Sequence, residues 1–155
     1  MRISGVIAQL HTTDLAESIR FYTAKVGLSL AFQYEDFYAG IRAGDQVFHL
    51  KRVDETDPTI EFVDRGEHFH LYLETDDAAA MADALAKQGV LFVKGLHETP
   101  WGTREFAVKD DQGHTLYVGQ ALSRLPAEQL LEKTYAAFNA RDIDRALAAM
   151  HPDVA

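Results

Sequence analysis

Apolar residues recur along the first 120 or so residues with two alternating spacings, and the order of those spacings repeats once. Residues 6–11 alternate with the period of a strand, and Thr12-Thr13-Asp14 then marks a helix start. Asp14 is placed to cap that helix, with Glu17 three residues on to complete a capping box. Leu15, Ile19, Tyr22 and Val26 form one apolar helical face, and Gly27 ends it. Strands are predicted over 28–34, 37–42 and 46–53, with a turn at Ala43-Gly44-Asp45. Residues 54–64, containing Asp57-Pro58, read as a linker.

The pattern then restarts. A strand over 68–75 leads to Asp76-Asp77, which opens an Ala-rich helix through Ala78, Met81, Leu85 and Lys87, ended by Gly89. Strands follow over 90–96, 103–109 and 114–120, with Asp110-Asp111-Gln112-Gly113 as a hairpin turn. The halves superpose at an offset of about 63 residues, which places Asp14 on Asp77 and Ile7 on His70. The predicted fold class is α+β: two βαβββ modules, 4–54 and 66–120, forming a cupped mixed sheet around a cavity, with helices outside. The first domain spans 1–121. Residues 122–155 form a helical tail, with Leu131, Tyr135 and Phe138 on one face and Ile143, Leu147 and Met150 on a second run capped by Asp142. Two such helices cannot bury their faces alone and need a surface to dock on.

Charge narrows the partners. A formal net charge of -9, from 24 acidic and 15 basic residues, argues against nucleic acid and anionic membrane and suits a neutral or cationic small ligand. The absence of cysteine removes thiolate nucleophiles, disulfides and Cys-based zinc sites. No signal peptide and no membrane-length apolar run is visible, so the expected location is the cytoplasm. No serine has a placeable His-Asp arrangement, and no Gly-rich phosphate loop occurs.

Two motifs carry a family resemblance. Asp14-Leu15-Ala16-Glu17-Ser18-Ile19-Arg20-Phe21-Tyr22 followed by Val26-Gly27-Leu28, and Pro100-Trp101-Gly102-Thr103-Arg104-Glu105-Phe106 followed by Asp110-Asp111-Gln112-Gly113-His114, resemble the vicinal oxygen chelate superfamily of glyoxalase I, bleomycin-resistance proteins and extradiol dioxygenases. The resemblance covers about residues 4–121. Its metal-dependent members place one ligand on each of four strands, and those places fall here on Ile7, His49, His70 and Tyr117. Ile7 cannot bind a metal and Tyr117 replaces the usual carboxylate, so no metal or other cofactor is expected; any divalent ion would rest on His49 and His70. The tail resembles the opening helices of a SnoaL-like domain, through Tyr135-Ala136-Ala137-Phe138-Asn139-Ala140-Arg141-Asp142-Ile143 and Met150-His151-Pro152-Asp153-Val154.

Strand parity from those positions lines the cavity with Gln9, His11, His49, Lys51, His68, His70, Tyr72, Glu105 and Tyr117, and Trp101 stands at its lip as a stacking platform. Phe106 and Val108 turn to the helix layer, and Arg104 on that side pairs with a carboxylate. Phe32, Tyr34, Phe37 and Tyr38 serve the core or a dimer contact, with one or two reaching the pocket. Asp110, Asp111 and His114 read as structural. The first expectation is a homodimeric, metal-independent binder of a small organic molecule, resembling the bleomycin-resistance branch. A second is a lyase, isomerase or dioxygenase, using His49 and His70 on a metal, or His70 or Glu105 as base and Tyr117 as acid. A third is an interaction or regulatory module with a vestigial cavity.

Overall fold

The structure is a computed structural model and describes residues 1–122. The tail helices and their SnoaL-like resemblance lie outside the described residues. Strands β1 (Gln9–Thr12), β2 (Ser29–Tyr34), β3 (Tyr38–Ala43) and β4 (Gln46–Arg52) form one sheet in the order β1-β4-β3-β2. Strands β5 (Leu71–Glu74), β6 (Phe92–Glu98), β7 (Thr103–Lys109) and β8 (Thr115–Ala121) form a second in the matching order β5-β8-β7-β6. In each sheet the first strand runs parallel to the last, and the other pairings are antiparallel. This is the predicted duplicated α+β architecture.

A parallel pair needs a crossover, and the helices supply it. Helix α1 (Leu15–Arg20) continues into a π turn (Phe21–Lys25), and α3 (Ala78–Lys87) plays the same part in the second half. Asp14 accepts the Glu17 backbone N–H at 3.0 Å, and Asp77 accepts that of Ala80 at 2.9 Å. Gly27 (φ 84°) and Gly89 (φ 73°) turn the chain out of each crossover in the left-handed region.

Three boundaries differ from the sequence pattern. β1 begins at Gln9 rather than at residue 6, and Ile7 is exposed. Helix α2 (Thr59–Gly66) occupies much of the expected linker. Asp57 accepts the Thr59 N–H at 2.9 Å, which starts that helix; Glu67, at φ 54°, ends it. That end leaves 68–70 outside the strand and shortens the predicted 68–75 segment to β5.

Leu10, Ile41, Phe48 and Leu50 of the first sheet and Phe106, Val108, Leu116 and Val118 of the second are buried in one continuous core with Leu15, Tyr22 and Leu85 from the helical layer. The hairpin at 110–113 joins the modules. Gln112 accepts the N–H and hydroxyl of Thr13, both at 2.9 Å; Ser18 donates to Asp111 and Tyr22 to Asp110, both at 2.6 Å. Asp110 and Asp111 are therefore structural, as their hairpin position suggested. At the corresponding turn of the first module, a cavity of about 760 Å³ separates Ala43-Gly44-Asp45-Gln46 from Tyr72, Leu73 and Met81.

Candidate functional site

Each sheet has a face turned away from the core, and the cavity candidates fall mostly there. On the first, β1 sets Gln9 beside His49 and His11 beside Lys51, while β3 sets Tyr38 beside Lys51 and Gly40 beside His49. Gln9 donates to the Tyr38 hydroxyl at 2.8 Å, and Tyr38 meets His49 Nδ1 at 2.9 Å. His11 Nε2 lies 3.0 Å from Gln9 Oε1. Phe32 stacks on Tyr38 and meets His49 edge-on, and its ring occupies the space a Cβ at Gly40 would fill. Lys51 extends over Phe37.

The second face repeats this geometry with different chemistry. Register makes Tyr72 the counterpart of Gln9, Tyr117 of His49, Glu105 of Tyr38 and Gly119 of Lys51. Tyr72 donates to Glu105 Oε2 at 3.0 Å, and Thr103 donates to the same oxygen at 3.1 Å. His97 Nε2 stands 3.9 Å from Glu105 Oε1. Glu105 is only 4% exposed, so its carboxyl is hidden under the phenol that binds it. Burial, then the Glu105 hydrogen bond and charge, push the Tyr72 phenol up to about 12. A cavity of about 700 Å³ opens beside the pair, lined by Tyr72, Glu74, Asp76, Thr103, Gly119 and Gln120. Trp101 is 59% exposed in the turn before β7, and that turn is fixed by Thr99, which hydrogen-bonds Thr103 and accepts the Gly102 N–H.

His68 and His70 do not continue the face of Tyr72. They precede β5, and Phe69 takes that place, packing on Tyr72 and Tyr117. The exposed His68 ring lies over Gly66 and borders a cavity of about 420 Å³ with Lys94 and Tyr117. His70 accepts the Thr115 N–H on Nδ1 at 3.1 Å, so its ring proton is on Nε2, facing Thr59 Oγ1 at 3.3 Å. Burial, then the neighbouring His114, lower its pKa. In this state His70 is a hydrogen-bond donor rather than a base.

Arg104 pairs with Glu98 at 2.6 Å, which matches its expected turn away from the cavity. Thr103 and Phe69 escaped the sequence reading. Thr103 shares parity with Glu105, a signal that was available; Phe69 became visible only through the chain reversal at Glu67.

The four positions matching the chelate ligands do not fit a divalent ion. Ile7 offers no donor, Tyr117 offers a phenol, and both His70 nitrogens face protein groups. Among the described residues no group of three His, Asp or Glu side chains is placed to hold a metal ion.

Paired βαβββ modules with an outward polar face on each sheet define the class. Residues 6–118 match the Glyoxalase/Bleomycin resistance protein/Dioxygenase superfamily, and the chain belongs to it. Among solved structures, TioX from Micromonospora sp. ML1 is similar at 18% identity, over 79% of this chain and 100% of that one (TM-score 0.61). The bleomycin-binding protein of bleomycin-producing Streptomyces verticillus, complexed with copper(II)-bleomycin, is similar at 22% identity over 80% and 99% (TM-score 0.57). A lactoylglutathione lyase from Agrobacterium tumefaciens is similar at 17% over 77% and 95% (TM-score 0.60). These likenesses establish the fold. No curated protein sequence matches the chain. Among the described residues no helix is long and apolar enough to cross a membrane.

Proposed function

We propose that the chain binds a small organic molecule, without a metal ion, against the outward face of the second sheet. The observation that carries this reading is the carboxyl of Glu105, buried beneath Tyr72 beside a cavity of about 700 Å³. A shielded carboxylate attracts a cation more strongly than one in open water, and the rings of Tyr72, Tyr117 and Phe69 offer surfaces for an aromatic group. A net charge of -9 favours the same guest. The name of the Streptomyces verticillus protein, a binder of a small molecule on this fold, supports the reading.

The protein works as a homodimer in this proposal. Phe32, Tyr34 and Phe37 are exposed, and a second copy would cover aromatic faces that one chain leaves open to water. The cytoplasm remains its proposed location.

Calorimetric titration of metal-stripped protein with a panel of aromatic cations tests the binding role. At least one compound should bind more tightly than about 1 mM, and Glu105→Gln should weaken it roughly tenfold. A panel without any sub-millimolar binder would sink the proposal. Elemental analysis after incubation with nickel, zinc, manganese and ferrous iron tests the rest: close to one ion per chain, lost on replacing His49 and His70 with alanine, would overturn metal independence.

A further inference from the structure

We propose that the cleft between the first module's hairpin and the β5 edge of the second module is a binding site for an organic ammonium with an apolar body. It is separate from the Glu105 carboxyl, and the inference does not depend on the ligand proposed above.

The duplication gives the modules two matching seams, and they differ. At one, the hairpin at 110–113 is closed on the first module: Asp111 accepts from Ser18, and Asp110 accepts from Tyr22. At the other, strand pairing makes Ala43 the counterpart of Asp110. The spacing from the capping residues Asp14 and Asp77 makes Met81 the counterpart of Ser18 and Leu85 that of Tyr22. Both donors are thus replaced by apolar side chains, and the Asp110 acceptor by a methyl group. The first hairpin is also shorter. Two residues, Gly44 and Asp45, join Ala43 to Gln46, where three join Asp110 to His114. It stops short of α3 and leaves the cleft of about 760 Å³. A Cβ added at Gly27 or Gly44, both on the cleft wall, would meet nothing within 4 Å.

The lining selects the guest. Val26 and Val118 belong to the buried core, and Leu28, Leu73 and Met81 pack on it while only partly buried, so the floor is apolar. Hydrocarbon that displaces water from such a floor is favoured, and the flexible Met81 thioether adapts to its shape. The charged side chains of the lining are two exposed carboxylates, Asp45 on the hairpin and Glu74 on β5. Among the described residues neither is taken up by an ion pair. A cation between the two walls is attracted to both, and an anion is repelled by both.

The strand edge adds hydrogen bonding. Tyr72, Leu73, Glu74 and Thr75 line the cleft in unbroken sequence, so β5 presents its edge there rather than one face. It is the terminal strand of its sheet, and its outer N–H and C=O groups have no strand beside them. They are available to polar groups along the guest.

NMR of the full chain carrying carbon-13 methionine methyls reads the floor directly. Met81 is one of three methionines, and Met81→Leu assigns its signal. The probe is n-hexyltrimethylammonium, with hexanoate as the anionic control. The ammonium should shift the Met81 signal saturably below about 10 mM, with cross-relaxation from its hexyl protons to that methyl. Hexanoate should need at least about tenfold more, and the surface charge reversal Asp45→Lys/Glu74→Lys should weaken the ammonium about tenfold. A Met81 signal that the ammonium leaves unmoved, or a shift without cross-relaxation, overturns the proposal. An equal response to hexanoate, or an undiminished one in the charge-reversed variant, also overturns it.

Discussion

The Tyr72 phenol reaches across β8 to Glu105 on β7, and it does so over Gly119, the residue between them. A Cβ at Gly119 would stand inside the phenol. Gly119→Ala should therefore cost about 1–3 kcal/mol of stability by urea unfolding, the range typical of overpacking. The double variant Gly119→Ala/Tyr72→Ala should lose less than the sum of the single losses, because the second change removes the obstacle.

Tyr72 should ionise late. Ultraviolet titration of tyrosine should resolve one phenol near 12, and Glu105→Gln should move it back toward the ordinary value of 10.0. A raised pKa means that folding favours the protonated phenol. The stability it contributes is complete below the unfolded value and disappears as pH rises from 10.0 to about 12.

The inter-module hydrogen bond of Tyr22 should be visible in acid. Burial raises the Asp110 pKa, but the hydrogen bond and charge of His114 and the bond from Tyr22 outweigh it and leave the pKa below 3.8. Ionised Asp110 therefore contributes stability that is present above that ordinary value and lost as pH falls through its lower folded value. Tyr22→Phe should cost about 2 kcal/mol at neutral pH and shift the acid unfolding midpoint upward.

Trp101 is the sole tryptophan, so its fluorescence reports on its turn alone. Binding of an aromatic cation should quench or blue-shift the emission, and Trp101→Phe should weaken binding by roughly 1 kcal/mol. Unchanged emission at saturating ligand would remove Trp101 from the site.

Light scattering should return twice the 17.3 kDa chain mass. Replacing Phe32 with Glu, or Tyr34 with Lys, should shift the population toward the single-chain mass by placing charge on the outward aromatic face.

The repeat was legible because both helix starts use the same device: Asp14 and Asp77 cap their helices, and Gly27 and Gly89 end the two crossovers. Parity was equally legible inside long strands, where Phe106 and Glu105 must point to opposite faces. It failed at His68 and His70, because an alternating pattern does not reveal where a strand begins. There the left-handed turn at Glu67 delays β5, and the histidines face α2 and the hairpin instead. The surroundings of His114 were illegible for a related reason: Asp57 comes from the linker and His70 from the segment before β5, both far from the hairpin in the chain.

The π turn has a mechanical consequence. Between Phe21 and Val26 the backbone closes an i-to-i+5 hydrogen bond of 3.1 Å, one residue more than an α-helical turn takes. That additional residue offsets, by about 100° of rotation, everything after it from everything before. Ser18 before the turn and Tyr22 within it meet the second module's hairpin, while Val26 after it enters the core. Deleting one residue between 21 and 25 would leave the capped start of the helix intact and turn its far end away. The length of this short segment, counted residue by residue, thus sets the angle at which one half of the molecule meets the other.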